Sequence, residues 1–181
     1  MVSPGRDGSS QPDVLRTPRL SLRRPVPADA AAVLQILSDP AVARHHPSEL
    51  VTELDDVEAL VRRWLGHWEQ HGFGNACVFE EGTGLLVGNA GVRWTTVDGG
   101  RGLNLMYRFS PATWGRGYAT EAADGLLGWV RAALPDELVV ARIRPANLSS
   151  QRVATKVGLR RDPDLDAQGD DGVEWAFTNR S

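Results

Sequence analysis

The chain predicts an α/β fold, in the broad α+β sense, on three observations. Twice an apolar strand-like run passes through a turn directly into a helix-like run: Leu103 to Phe109 into Ala119 to Ala133, and Leu138 to Arg144 into Ser149 to Val157. Upstream, strand-like segments are punctuated by Glu81-Gly82-Thr83-Gly84 and Asp98-Gly99-Gly100, the second a hairpin signal. With 181 residues, 41% hydrophobic and 24% charged, the chain has the size and balance of one domain with a full core.

The elements follow in order. Met1 to Asp13, rich in Ser, Gly, Pro and charge, predicts a disordered tail, with the domain running from residue 14 to 181. Leu15 to Arg24 alternates apolar and polar residues and predicts a strand with Leu20 and Leu22 on one face. Asp29 is placed to cap a helix through about Leu37, with Val33, Leu34 and Leu37 inward, and Pro40 ends it. Ala41 to Val51, containing His45-His46-Pro47, reads as an irregular loop.

Thr52-Glu53-Leu54-Asp55 opens the second helix in capping-box style. Its stripe of Val57, Leu60, Val61, Trp64, Leu65 and Trp68 holds a helical period to near Gly72, so both tryptophans read as core or cleft wall. Ala76 to Phe79, Leu85 to Trp94 and Leu103 to Phe109 are the next strands, before the long helix, the strand Leu138 to Arg144 and the short helix. Leu159 to Arg161 and Val173 to Phe177 close the chain; the acidic stretch Asp162 to Gly172 between them reads as a solvated loop.

Composition narrows the function. A net charge of −3 argues against nucleic acid or an anionic membrane as the main partner. No run approaches the roughly 20 apolar residues of a membrane span. The first residues lack a charged-then-apolar signal pattern, so the cytoplasm is the expected compartment. Cys77, alone of its kind, excludes an internal disulfide and a cysteine metal cluster and reads as a small core side chain.

The chemistry concentrates in Trp114-Gly115-Arg116-Gly117-Tyr118-Ala119-Thr120-Glu121-Ala122, a glycine turn between strand and helix. Such a turn and the first helical amides form a backbone anion site, where glycines let a phosphate approach closely and Arg116 adds positive charge. A P-loop needs Lys-Ser/Thr after the second glycine, where Tyr118-Ala119 stand. A dinucleotide fingerprint needs a third glycine at Thr120. A second segment, Asn147-Leu148-Ser149-Ser150-Gln151-Arg152-Val153-Ala154-Thr155-Lys156-Val157-Gly158-Leu159, begins with helix-start residues and ends at a glycine.

Together these segments resemble the GNAT superfamily of acyl-CoA-dependent N-acyltransferases, and within it the RimJ/RimL-type ribosomal-protein N-terminal acetyltransferases. That group carries W-G-x-G-Y-A-T-E-A and then N-x-x-S-x-x-V-x-x-K-x-G-F/L, and the resemblance spans Val14 to Phe177. It implies a mixed, mostly antiparallel sheet of about seven strands, splayed between the fourth and fifth, with about four helices. It implies acetyl-CoA as co-substrate without a metal, and an acceptor that is a peptide N-terminus or a small amine. A homodimer is compatible with it. A succinyl-type acyl group and a non-catalytic acyl-CoA-binding module are the alternatives.

Residue by residue, the resemblance assigns the pantetheine arm to the backbone of Tyr107, Arg108 and Phe109. It assigns the pyrophosphate to Gly115, Arg116, Gly117, Tyr118, Ala119 and Thr120, with Asn147 on the arm and Arg152 at the adenosine end. A backbone N–H near Phe109 would polarise the carbonyl, and Ser150 would donate to the departing sulfur. The tyrosine many relatives use one turn later is Ala154 here. The frequent fourth-strand glutamate is Asn104, which cannot take a proton, so the base falls to His46, His45, another carboxylate or water. Glu121 in the helix's first turn is explained by the helix dipole.

Overall fold

The computed structural model describes residues 10–180. Residues 1–9 of the expected tail lie outside the described residues. Those that follow are packed: Gln11 is buried, and its N–H donates to the Gly72 carbonyl at 3.0 Å.

Nine strands are seen among the described residues: β1 Val14–Arg16, β2 Leu20–Arg23, β3 Asn75–Glu80, β4 Leu86–Val97, β5 Gly100–Phe109, β6 Val139–Ile143, β7 Arg160–Arg161, β8 Ala167–Gly169 and β9 Gly172–Thr178. The helices are α1 Ala30–Leu37, α2 Pro40–Ala43, α3 Leu54–His71, α4 Tyr118–Ala133 and α5 Leu148–Lys156. The sheet order is β1-β2-β3-β4-β5-β6-β9-β7, with β8 paired to β9; every pairing is antiparallel except β5 with β6. No helix among the described residues is long and apolar enough to cross a membrane.

The counts exceed the expected seven and four for three local reasons. Pro18 cannot donate to a ladder, and Thr17 N–H bonds the Leu20 carbonyl at 2.9 Å, so the first strand folds back as β1 and β2. Pro40 ends α1 but also starts α2, because the Asp39 carboxylate accepts the Ala41 N–H at 2.8 Å. The stretch Asp162 to Gly172 is not a free loop: Leu165 is buried and β8 forms a hairpin with β9.

Two caps also differ. Asp29 does not cap α1; its carboxylate takes the two terminal guanidinium nitrogens of Arg23, at 2.7 and 2.9 Å, and the Val26 N–H, which caps the 3-10 turn before the helix. The helix α3 starts one residue later than the capping box requires, with Glu53 as an uncapped N-cap. Gly72, at φ 75°, ends it as expected.

The core is two-sided. Leu20, Leu22, Val78, Leu103 and Leu105 pack under Ala122, Leu126 and Val130 of α4. On the other face Cys77 lies beneath Val33 and Leu37 of α1 and Val57, Val61 and Trp64 of α3. These contacts remove the helical stripes from water, and the sheet parts between β5 and β6. There β5 and β6 pair at Leu103↔Val139 and Asn104↔Val140, and beyond that they diverge.

Candidate active site

A cleft of about 1280 Å³ runs through that divergence, from the second half of β5 to α5 on one side and to α2, α3 and the β8–β9 hairpin on the other. Backbone alternation explains its edge. The Leu103 N–H donates to the Leu138 carbonyl at 2.7 Å, so the alternate residues Leu105, Tyr107 and Phe109 turn their amides the same way; the Asn104↔Val140 pairing takes Leu105 into the ladder and leaves Tyr107 and Phe109 facing the gap. Arg108 pairs with Asn89 on β4, so its backbone is turned away. This corrects the expectation for Arg108: its backbone belongs to the ladder and its side chain to the cleft.

At the end of β5 a 3-10 turn, Pro111–Thr113, leads to the glycine turn. Gly115 (φ 79°) and Gly117 (φ 80°) occupy left-handed backbone that other residues rarely adopt. The amides of Gly115, Gly117, Tyr118, Ala119 and Thr120 make no bond among the described residues. They ring one concavity at the start of α4, with no Cβ in the way, which fits a pyrophosphate.

Arg116 does not line it. Its guanidinium pairs with Glu80 at 3.0 Å, its N–H bonds Thr113, and its carbonyl accepts from Arg19 at 2.9 Å. The expected charge at the phosphate turn is therefore drawn back to β3, where the Tyr118 hydroxyl also bonds Glu80.

On α5, the Asn147 carboxamide oxygen caps the helix, accepting the Ser150 N–H at 3.1 Å and the Ser149 hydroxyl at 2.8 Å. Its amide nitrogen makes no bond among the described residues. The Ser150 hydroxyl lines the cleft without a partner among the described residues, and the Ser150 carbonyl accepts the Tyr107 hydroxyl at 3.1 Å. Burial pushes the Tyr107 phenol up to about 12. Arg152 lines the cleft one helical turn before Lys156, which sequence reasoning did not single out. Trp114, the first position of the glycine-turn motif, was given no role beforehand: its indole N–H donates to the Phe109 carbonyl at 2.8 Å, closing the end of the free edge.

The opposite wall carries the histidines. His46 Nδ1 lies 3.6 Å from Glu174 and 4.0 Å from Asp171, while Nε2 has no protein partner among the described residues. Burial, then the Arg108 charge, holds the His46 pKa below its ordinary value, so the ring is neutral at pH 7. His45 also lines the cleft, with a pKa lowered by burial and by Arg44. Glu174 is raised by burial. Asp171 is lowered by hydrogen bonds from Ser48, whose hydroxyl and N–H reach it at 2.7 and 3.1 Å. The Glu49 carboxylate pairs with Arg108.

Neither Asp171 nor Glu174 was singled out beforehand: Asp171 lies where a solvated loop was expected, and Glu174 in the expected last strand, whose register with the cleft is not local. A histidine-proline turn and an acidic stretch 120 residues later carry no local sign of meeting. Glu121 is structural: burial works to raise it, but hydrogen bonds from Thr17 and Arg19 outweigh this and hold it low. Asn104 lines the cleft opposite Arg93, and Ala154 is fully buried. No cluster of His, Cys, Asp and Glu suited to a metal ion occurs among the described residues.

Known proteins share this arrangement. The acetyltransferase (GNAT) domain family matches residues 19–160. The uncharacterized N-acetyltransferase YnaD of Bacillus subtilis is 27% identical over 161 residues, covering 89% of this chain and 91% of its own. An acetyltransferase crystal structure from Agrobacterium tumefaciens superposes with a TM-score of 0.77 at 26% identity, over 95% of this chain and 96% of that one. RimL, a ribosomal L7/L12 alpha-N-protein acetyltransferase solved with coenzyme A, shares the fold at a TM-score of 0.75 and 14% identity, over 91% and 96%. A splayed sheet, an amide-lined glycine turn and a family match over most of the chain lead to one assignment: the protein belongs to the GNAT acetyltransferases and is an acyl-CoA-dependent N-acetyltransferase.

Proposed function

We propose that the protein moves the acetyl group of acetyl-CoA to a primary amine, on a small molecule or a peptide N-terminus, by direct attack in a ternary complex. One observation carries this: a neutral imidazole, His46, faces the same cleft as the glycine-turn amides. RimL, of the same fold, was solved with coenzyme A, which supports that cofactor here.

The amides of Gly115, Gly117, Tyr118, Ala119 and Thr120 would hold the pyrophosphate. The free edge of β5 and the Asn147 amide would hold the pantetheine arm, and Arg152 with Lys156 the outer phosphate. Bound, the cofactor supplies an activated thioester. The β5 edge then offers an N–H to the carbonyl oxygen as it gains charge. His46 Nε2 accepts the proton the amine gives up, and Glu174 and Asp171 favour the resulting imidazolium. A nitrogen–carbon bond forms and the carbon–sulfur bond breaks; the Ser150 hydroxyl hydrogen-bonds the sulfur as it leaves as a thiolate, which takes a proton from solvent, while the His46 imidazolium returns its proton to solvent. Much of the acceleration comes from holding both reactants in one cleft.

Free-thiol release with acetyl-CoA and a panel of amines and peptides tests this. Turnover with at least one class is expected, as is a rise in Tm at millimolar acetyl-CoA by mass action. No release from any amine together with no Tm shift would overturn the reading.

A further inference from the structure

The cleft wall formed by α3 and β4 has a second polar patch, away from the histidines. Arg93 stands directly across from Asn104 in the β4–β5 register, so the two side chains share a face, with Thr95 two residues on. Arg63 and His67 lie one turn apart on α3, both facing the cleft, and the Arg93 charge acts on the His67 ring. Arg63 and Arg93 make no ion pair among the described residues.

Among the described residues no acid pairs with either. Both His67 nitrogens are engaged, Nδ1 with the Phe73 carbonyl at 2.8 Å and Nε2 with the Trp94 N–H at 3.2 Å. The Thr95 hydroxyl and the Asn104 amide have no partner among the described residues, and a carboxylate at 104 would have paired with Arg93 across the strand. Asp56, the one acid α3 turns to the cleft, is two helical turns from Arg63. The patch is also no part of the phosphate turn, since Asn104 is about 17 Å along β5 from Phe109.

We propose that Arg63 and Arg93, with Thr95 and Asn104, form a subsite for an anionic group on the acceptor, a carboxylate or a phosphate. This rests on the N-acetyltransferase reading. The acceptor amine then points toward His46 and its two carboxylates while its anionic group is held at the far wall, so the acceptor is zwitterionic. Guanidinium–oxyanion hydrogen bonds have the strength and geometry for this.

The test uses matched acceptors: amino acids against their amides, and phosphoethanolamine against ethanolamine. Wild type should favour the anionic member of a pair. Arg93→Gln and Arg63→Gln should each lower kcat/KM for that member roughly tenfold or more beyond any loss for its neutral partner, mostly through KM. Preference for the carboxylate or for the phosphate pair identifies the anion. Equal use of both members, or equal losses in both, overturns the subsite. No turnover with any amine would instead sink the acetyltransfer reading. The same compounds titrated calorimetrically into the protein–coenzyme A mixture still decide the subsite: acids binding no better than amides would overturn it.

Discussion

The Tyr107 hydroxyl donates to the Ser150 carbonyl at 3.1 Å and so ties β5 to α5 across the gap that parts the sheet. This bond fixes how far the first turn of α5 stands from the free edge of β5. Because the phenol is raised to about 12, it stays protonated and donating at any working pH. Tyr107→Phe should cost about 1 kcal/mol, or a Tm drop of roughly 2–4 °C at this size, and raise KM for acetyl-CoA several-fold. Unchanged Tm and KM would mean that the bond sets nothing.

The pH profile should report His46. Its folded pKa lies below the ordinary 6.5, so the basic form that accepts protons persists below that value. Activity should therefore rise with pH along an acid limb whose midpoint is under 6.5. Removing the Arg108 charge frees Glu49, and both changes favour the imidazolium. Arg108→Met should move the limb to higher pH, and His46→Gln should lower kcat by roughly 100-fold. A limb that ignores Arg108 would assign it to another group.

Ser150 and Asn147 separate chemistry from capping. The cap is the Asn147 carboxamide, so Asn147→Ala should lose about 1 kcal/mol of stability. The Ser150 side chain caps nothing, so Ser150→Ala should leave Tm nearly unchanged and lower kcat by about tenfold, the low end for an acid assisting a thiolate that already leaves well. An unchanged kcat in Ser150→Ala would remove Ser150 from the chemistry.

Gly117 carries two constraints at once. At φ 80° any side chain is strained, by about 1–2 kcal/mol. A carboxylate there would also stand in the pyrophosphate cradle. Gly117→Ala should lower Tm yet still bind coenzyme A, whereas Gly117→Glu should fold with a comparable loss and not bind. Calorimetric titration of both checks this; equal affinities would remove the phosphate from that turn.

His67 links acidity to stability. Burial leads in depressing its folded pKa, against the raising effect of the Phe73 carbonyl. Its contribution is complete above the unfolded value near 6.5 and is lost as pH falls through the folded pKa, because Nε2 must accept the Trp94 N–H. Denaturant midpoints should fall below pH 6.5, and less steeply in His67→Asn. Parallel slopes in the two proteins would count against it.

Local patterns carried most of the fold. The stripe from Val57 to Trp68, the Asp98-Gly99 hairpin, and both strand–turn–helix units need only neighbours a few residues away, and each is where periodicity places it. The cofactor turn was legible for the same reason. The acceptor side was not. His46 meets Glu174 through tertiary packing, the fate of Arg116 depends on Glu80 across the sheet, and the backbone direction of Arg108 depends on register with β4. A splay between strands, moreover, is the absence of a ladder, which no single strand encodes.

The Arg19–Glu121 pair reaches further than a helix end. Arg19 sits in the β1–β2 turn, grips the Glu121 carboxylate with its side chain and backbone, and bonds the Arg116 carbonyl inside the phosphate turn. The amino-terminal hairpin and the cofactor cradle thus share one clasp. Thermodynamic reciprocity requires that whatever quiets the cradle also quiets the hairpin. Saturation of the cradle should then be felt as slower amide exchange some hundred residues earlier in the chain, and fraying of the hairpin as a weaker grip on the cofactor.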